Sequence, residues 1–214
     1  MGYASYRLTD DEFIPAYVLL GQGQTPVWRQ NRWSTGEHRE FIVKNGCGHC
    51  CAAMALQLHG VQLDPHEEFS LCRALWGEPQ DTEGNWQSVA GITKILRHYG
   101  VGADYFGFTD SHDAAAHIER ALTEGKQVIF WSHPSKEFPE NPFSAGEHYV
   151  MAVGYTEGGR ILVANSSEKA APTGVQTVDI DTIRRALFPR DVTPGDITWG
   201  QHDLARSAGY VVVG

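Results

Sequence analysis

NGCGHCCAAMALQLHG, residues 45–60, is the stretch from which the rest of the chain is read. Ala52, Ala53, Met54, Ala55, Leu56 and Leu58 favour helix. Gly46 and Gly48 bracket the start, and Gly60 is a natural stop, so the run Cys47–His59 predicts a helix. Cys51, Met54 and Leu58 recur at helical spacing, which places that helix centrally. Cys47 opens it. Backbone N–H groups of a first turn lack intrahelical partners, and the helix dipole there favours negative charge. A thiol attacks an acyl carbonyl well only as the thiolate, so this position, together with a neighbouring imidazolium, is expected to lower the pKa of Cys47. The flanking glycines admit a close backbone approach.

The base for such a thiol has to come from elsewhere in the chain. GEHYVMAVGYTEGGRILVANSS, residues 146–167, places His148 at the head of one strand and Asn165 at the end of the next. The Glu157-Gly158-Gly159 turn joins the two as a hairpin, which brings its outer ends together. A strand end is a rigid mount for an imidazole. An amide behind the ring fixes its tautomer.

The remaining pattern is helical first and extended later. Helices are expected around Pro65–Trp76, Trp86–Tyr99 and Asp113–Leu122, with Gly100 and Gly125 closing the last two. QVIFWS, HYVMAVGYT, RILVANS, VQTVDI and GYVVVG, rich in valine, isoleucine and aromatics, read as strands. Asp179 or Asp181 caps a short helix through Leu187, and Ala16–Leu20 is a possible short strand. The expectation is one α+β domain over residues 1–214, with its cleft where the halves meet. Residues 1–44 form an irregular segment, 45–125 a mainly helical half and 126–214 a mainly antiparallel sheet half.

Composition is that of an ordinary globular protein: 42% hydrophobic and 20% charged residues in a chain of 214. A net charge of -9 argues against nucleic acid or an anionic membrane as partner. No apolar run is long enough to span a bilayer, and no basic-then-apolar leader opens the chain, so a cytoplasmic location without membrane insertion is expected. Of the four cysteines, three lie in one short stretch and cannot staple distant loops, which fits a reducing compartment.

NGCGHCCAAMAL resembles the CGP-x-x-x-A-M-x-L block of papain-like cysteine peptidases of the bacterial double-glycine leader-peptidase type. The segment from Gly146 to Ser167 resembles that group's histidine block, and GITKILRHYGV and GYVVVG are similar to it as well. The likeness covers most of the chain from Asn45 onward. It implies a papain-like fold and a cysteine peptidase, or amide hydrolase, acting on a peptide or protein. It assigns Cys47 as nucleophile, His148 as base and Asn165 as orienting residue; separately, no second C-x-x-C or H-x-x-x-H accompanies Cys47 and Cys50, and no cofactor and no metal is expected. It also implies an oxyanion-hole glutamine upstream, in LLGQGQTPVW. Gln24 is favoured, because related proteins carry a glutamine shortly before a tryptophan and Trp28 fits; Gln22 and Gln30 stay open. Two departures stand out. The family's proline after CG is His49 here. The third position is Asn165 rather than aspartate, followed by Ser166 in place of proline; papain itself uses asparagine.

Other readings exist for the same residues. An acyl transferase on the same fold would share the cleft. A non-enzymatic module could bind a peptide, or hold zinc or copper through Cys47, His49, Cys50 and Cys51, completed by His59, His66 or Cys72. Cys47 and Cys50 also have redox-pair spacing, although no thioredoxin-like βαβ order surrounds them. Cys50, Cys51 and Cys72 read as small core hydrophobes. His133 reads as a loop histidine beside the cleft, Trp131, Trp86 and Trp28 as core or cleft wall, and Asp110, Asp113 and Glu119 as a solvated helix face.

Overall fold

The structure, a computed structural model, describes residues 46–76, 88–108, 110–134, 138–167, 174–187 and 209–214. The expected strand at Ala16–Leu20, the three upstream glutamines, Trp28, Trp86 and the side chain of His66 lie outside the described residues. The helices are α1 (Cys47–Leu58), α2 (Pro65–Trp76), α3 (Val89–His98), α4 (Ser111–Thr123) and α5 (Ile180–Ala186). The strands are β1 (Ala103–Phe106), β2 (Gln127–Ser132), β3 (His148–Tyr155), β4 (Ile161–Ala164), β5 (Val175–Val178) and β6 (Tyr210–Val213). They form one six-stranded sheet in the order β1-β6-β2-β3-β4-β5, every neighbouring pair antiparallel. The α+β class read from the sequence therefore holds, with one strand the reading missed. ADYF at β1 is short and alternates poorly, and it becomes a strand only because β6 returns to pair with it.

Helix ends follow local chemistry. Asp64 Oδ1 accepts from the Glu67 N–H at 2.8 Å while Glu67 Oε2 accepts from the Asp64 N–H at 2.9 Å, a capping box with Pro65 at the first helical position. Ser88, Asp110 and Asp179 cap α3, α4 and α5 through their side-chain oxygens. Asp110 thus has a capping task as well as a solvated position. In α1, α3 and α4 the chain leaves through Gly60, Gly100 and Gly125, each at positive φ.

The four central strands, β6, β2, β3 and β4, are buried on both faces and read as largely apolar runs rather than as alternation, while the edge strands β1 and β5 are partly exposed. Ile129, Tyr149, Met151, Leu162, Ala164, Val211 and Val213 pack with α1, α2 and α3. The intervening residues Val128, Phe130, Val150, Ala152, Ile161, Val163, Tyr210 and Val212 pack with α4 and α5. The boundary between helical and extended sequence is therefore not the boundary between layers. Ala114, Ile118, Ala121 and Leu122 give α4 an apolar stripe, and it covers the face opposite α1. Helix α1 is apolar nearly all round and sits inside, with residues Gly48 to Leu56 buried and the helix lying against β3.

Candidate active site

Cys47 is the first residue of α1, behind the N-cap Gly46, and remains partly exposed. Its sulfur faces the backbone N–H of Tyr149, the residue after His148, which brings the opening of α1 against the opening of β3. His148 is the first residue of β3, paired in register with Ser132 at the end of β2, and is buried. Asn165 follows the last residue of β4 and is fully buried. The hairpin does bring its ends together: His148 Nε2 lies 2.9 Å from Asn165 Oδ1. The turn between them is closed by the Gly159 N–H donating to the Thr156 carbonyl at 3.0 Å, with Gly159 at φ +77°.

The orientation of the Asn165 amide is fixed by its other neighbours. Its Nδ2 donates to the Phe143 carbonyl at 2.9 Å and to Gln176 Oε1 at 2.7 Å, and its Oδ1 accepts from the Ser167 N–H at 2.8 Å. A carbonyl can only accept and a backbone N–H can only donate, so the amide cannot be turned round. Oδ1 therefore accepts from Nε2–H of His148, and Nδ1 is the basic nitrogen of the ring. Gln176 is held in turn by donation from its Nε2 to the Pro142 carbonyl at 2.9 Å. Phe143, buried against Phe130, carries the carbonyl that also accepts from Ser167 Oγ at 2.6 Å. Asn141 secures this loop, donating to Ser132 Oγ at 2.7 Å and accepting from the Phe143 N–H at 2.9 Å. Sequence reasoning passed over Gln176, Phe143, Ser167 and Asn141. The one available signal was a polar residue inside the VQTVDI strand, and it points to no particular partner.

Burial, not the helix terminus, dominates the ionisation of Cys47. Desolvation raises its pKa, opposed by the N–H groups of Tyr149, Gly48 and Cys47 itself, and assisted by the negative charge of Glu147. This corrects the expectation of a lowered value: the N–H groups of the helix start do favour the thiolate, but the sulfur has lost more water than it has gained donors. Burial also pushes the thiols of Cys50, Cys51 and Cys72 up. These three are core residues as expected. Trp131 packs edge-on to Tyr149 at 5.1 Å between ring centroids, as a wall beside the site. His133 Nε2 lies 3.8 Å from Glu147 Oε1.

A second polar cluster sits behind α1. His49 Nδ1 hydrogen-bonds Glu68 Oε2, and the Cys72 thiol donates to Glu68 Oε1 at 3.2 Å, all three side chains being buried. Among the described residues, these three form a group of metal-ligand types whose ligand atoms lie within 4.8 Å of one another. The two carboxyl oxygens of Glu68 are thus shared between the imidazole and the thiol, one each. His59, another suggested ligand, lies 3.1 Å from Gln127 Oε1 instead. His49, where the resemblance expects proline, thus joins α1 to α2.

Among the described residues no helix is long and apolar enough to cross a membrane. No curated protein matches the sequence significantly. A crystal structure from Bacillus anthracis, described as a candidate C39-like peptidase, is similar with a TM-score of 0.47 and 12% identity, over 79% of this chain and 88% of that one. The model of the Peptidase_C39 like family matches residues 24–187, well over half of the sequence. On that match the chain belongs to the Peptidase_C39 like family, within the papain-like cysteine peptidases.

Proposed function

We propose that this chain is a cysteine peptidase that cleaves a peptide bond through Cys47, His148 and Asn165 by way of an acyl-enzyme. The observation that carries the reading is the caged Asn165 amide. It commits His148 to the Nε2–H tautomer and so makes Nδ1 the proton acceptor. The raised thiol pKa adds a condition: Cys47 rests as the neutral thiol and is activated by proton transfer to His148 Nδ1 rather than by standing ionised. The thiolate then attacks the amide carbon. The resulting oxyanion takes the Cys47 N–H, which has no intrahelical partner at a helix start, and a side-chain amide donor proposed as Gln24. His148 passes its proton to the leaving amine, and water, deprotonated by the same imidazole, releases the acyl group. The substrate class is a peptide or protein. Small residues beside the scissile bond are proposed on sequence likeness to the leader-peptidase branch.

The test is a diverse peptide library incubated with the purified protein and read by mass spectrometry. Wild type is expected to yield defined products, and Cys47→Ala and His148→Ala to reduce the rate by about a thousandfold or more. Hydrolysis that persists in folded Cys47→Ala would sink the assignment. Gln24→Ala is expected to cost about a hundredfold in kcat with KM little changed.

A further inference from the structure

We propose that Cys47 and Cys50 are a reversible redox pair, in which Cys50 captures the oxidised Cys47 sulfur as an intrahelical disulfide. Its effect on activity rests on the reading of Cys47 as nucleophile; the bond itself does not.

The geometry is that of a helix start. Residues three apart in an α-helix have Cα atoms about 5 Å apart, inside the roughly 4.4–6.8 Å that a disulfide spans. Their Cβ atoms lie about 5–6 Å apart, somewhat beyond the usual disulfide value, so the first turn must tighten to close the bond. Here it can. Cys47 is the first helical residue, and its N–H has no intrahelical bond to lose. Gly46 precedes it and Gly48 follows, and neither has a side chain to resist the change. The first bond of the helix, from the Cys50 N–H to the Gly46 carbonyl at 2.8 Å, closes the very turn that carries both sulfurs.

The two sulfurs differ in access. Cys47 is partly exposed, while Cys50 is fully buried behind it, beside the Ser166 hydroxyl. An oxidant therefore meets Cys47 first, and Cys50 stays reduced as the residue that resolves the product. With a peroxide as oxidant the steps balance. The Cys47 sulfur attacks the peroxide and gives up its proton, becoming a sulfenic acid as one oxygen of the peroxide leaves as water. The Cys50 sulfur then attacks that sulfur, and the sulfenic oxygen leaves as water with the Cys50 proton. A dithiol reverses the bond by exchange, becoming a disulfide itself. Without Cys50 the sulfenic acid is open to further oxidation to forms that a dithiol does not restore.

The experiment treats the reduced protein with a several-fold molar excess of hydrogen peroxide, alkylates the remaining thiols and reads the intact mass. Wild type is expected to lose two hydrogens and two alkylation sites, with both recovered after dithiothreitol. Any peptide hydrolysis is expected to fall more than about tenfold and to return with the mass. Cys51→Ser is expected to behave as wild type. Cys50→Ser, and Cys50→Ala as the second variant should serine unfold the core, is expected to gain oxygen atoms instead and not recover. A two-hydrogen loss that survives in Cys50→Ala, or that vanishes in Cys51→Ser, overturns the pairing, as does wild type that only gains oxygen. Bond formation in a protein without peptide hydrolysis would leave the pair standing and remove the peptidase reading. Hydrolysis without the bond would do the reverse.

Discussion

The imidazole and the sulfur of the proposed site are held in different ways. His148 sits in a cage of short-range contacts, in which Asn165, Gln176, Ser167 and the Phe143 carbonyl each have one possible direction of hydrogen bonding. The Cys47 sulfur meets backbone N–H groups instead, those of Tyr149, Gly48 and Cys47 itself. It is set by where α1 lies, and α1 is located by packing against β3 and by His49 reaching Glu68 on α2. One half of the chemistry is fixed by bonds to its own amide and the other by the placement of a whole helix. Damage to the first should alter the reaction locally, and damage to the second should move the nucleophile or unfold its support.

The sharpest way to break the helix side is Glu68→Ala. It removes the acceptor of both His49 Nδ1 and the Cys72 thiol inside the core, and chemical denaturation is expected to show a loss of about 3–5 kcal/mol. A loss below 1 kcal/mol would mean that the cluster does not hold α1 to α2. On the sheet side, Asn165→Asp keeps the oxygen facing His148 but sets a carboxylate oxygen against the Phe143 carbonyl and Gln176 Oε1. The expected cost is about 2–3 kcal/mol, with part of the peptidase rate retained because His148 keeps an acceptor. An aspartate variant as stable as wild type would show that the cage rearranges freely.

Alkaline titration probes the helix side more gently. Folding raises the pKa of Cys50, Cys51 and Cys72, chiefly by burial. Below the ordinary thiol value they are protonated in both states and their full contribution is present. Above it the unfolded chain releases protons that the folded chain keeps, so stability falls as pH rises. The urea midpoint under reducing conditions should drop between about pH 8 and 10, each buried thiol contributing about 1.4 kcal/mol per pH unit. A midpoint that is flat over that range would contradict the burial. The smallest effect is expected from Glu147→Gln. It removes a charge that raises the Cys47 pKa, although the carboxylate is half exposed and screened. Iodoacetamide labelling of Cys47 should be about twofold faster at neutral pH in low salt, and the difference should shrink in high salt.

How much of this was legible in the sequence follows the same division. The β3–β4 hairpin is local: valine-rich runs around Glu157-Gly158-Gly159 fix its register, and with it the meeting of His148 and Asn165. Helix α1 was equally plain from Ala52 to Leu56, and so was its buried character. The partners that depend on long-range placement were not. Glu68 sits nineteen residues from His49 and looks like any acidic residue in a first helical turn, until α2 folds back on α1. Gln176 is one polar residue in a strand, and its task exists only because the loop at Pro142 and Phe143 passes beneath it. The sign of the Cys47 shift was missed for a related reason. A helix terminus can be read from sequence, whereas the water excluded from a sulfur is a property of the assembled cleft.

Strand β6 lies between β1 and β2, bonded to both, and the Trp131 N–H donates to the Gly209 carbonyl at 3.2 Å. During synthesis the sheet must keep that slot open until residues 210–213 leave the ribosome, with the flanks of β1 and β2 unpaired in the meantime. The nascent polypeptide therefore has no finished platform for its cleft until residues 210–213 have emerged to fill that slot.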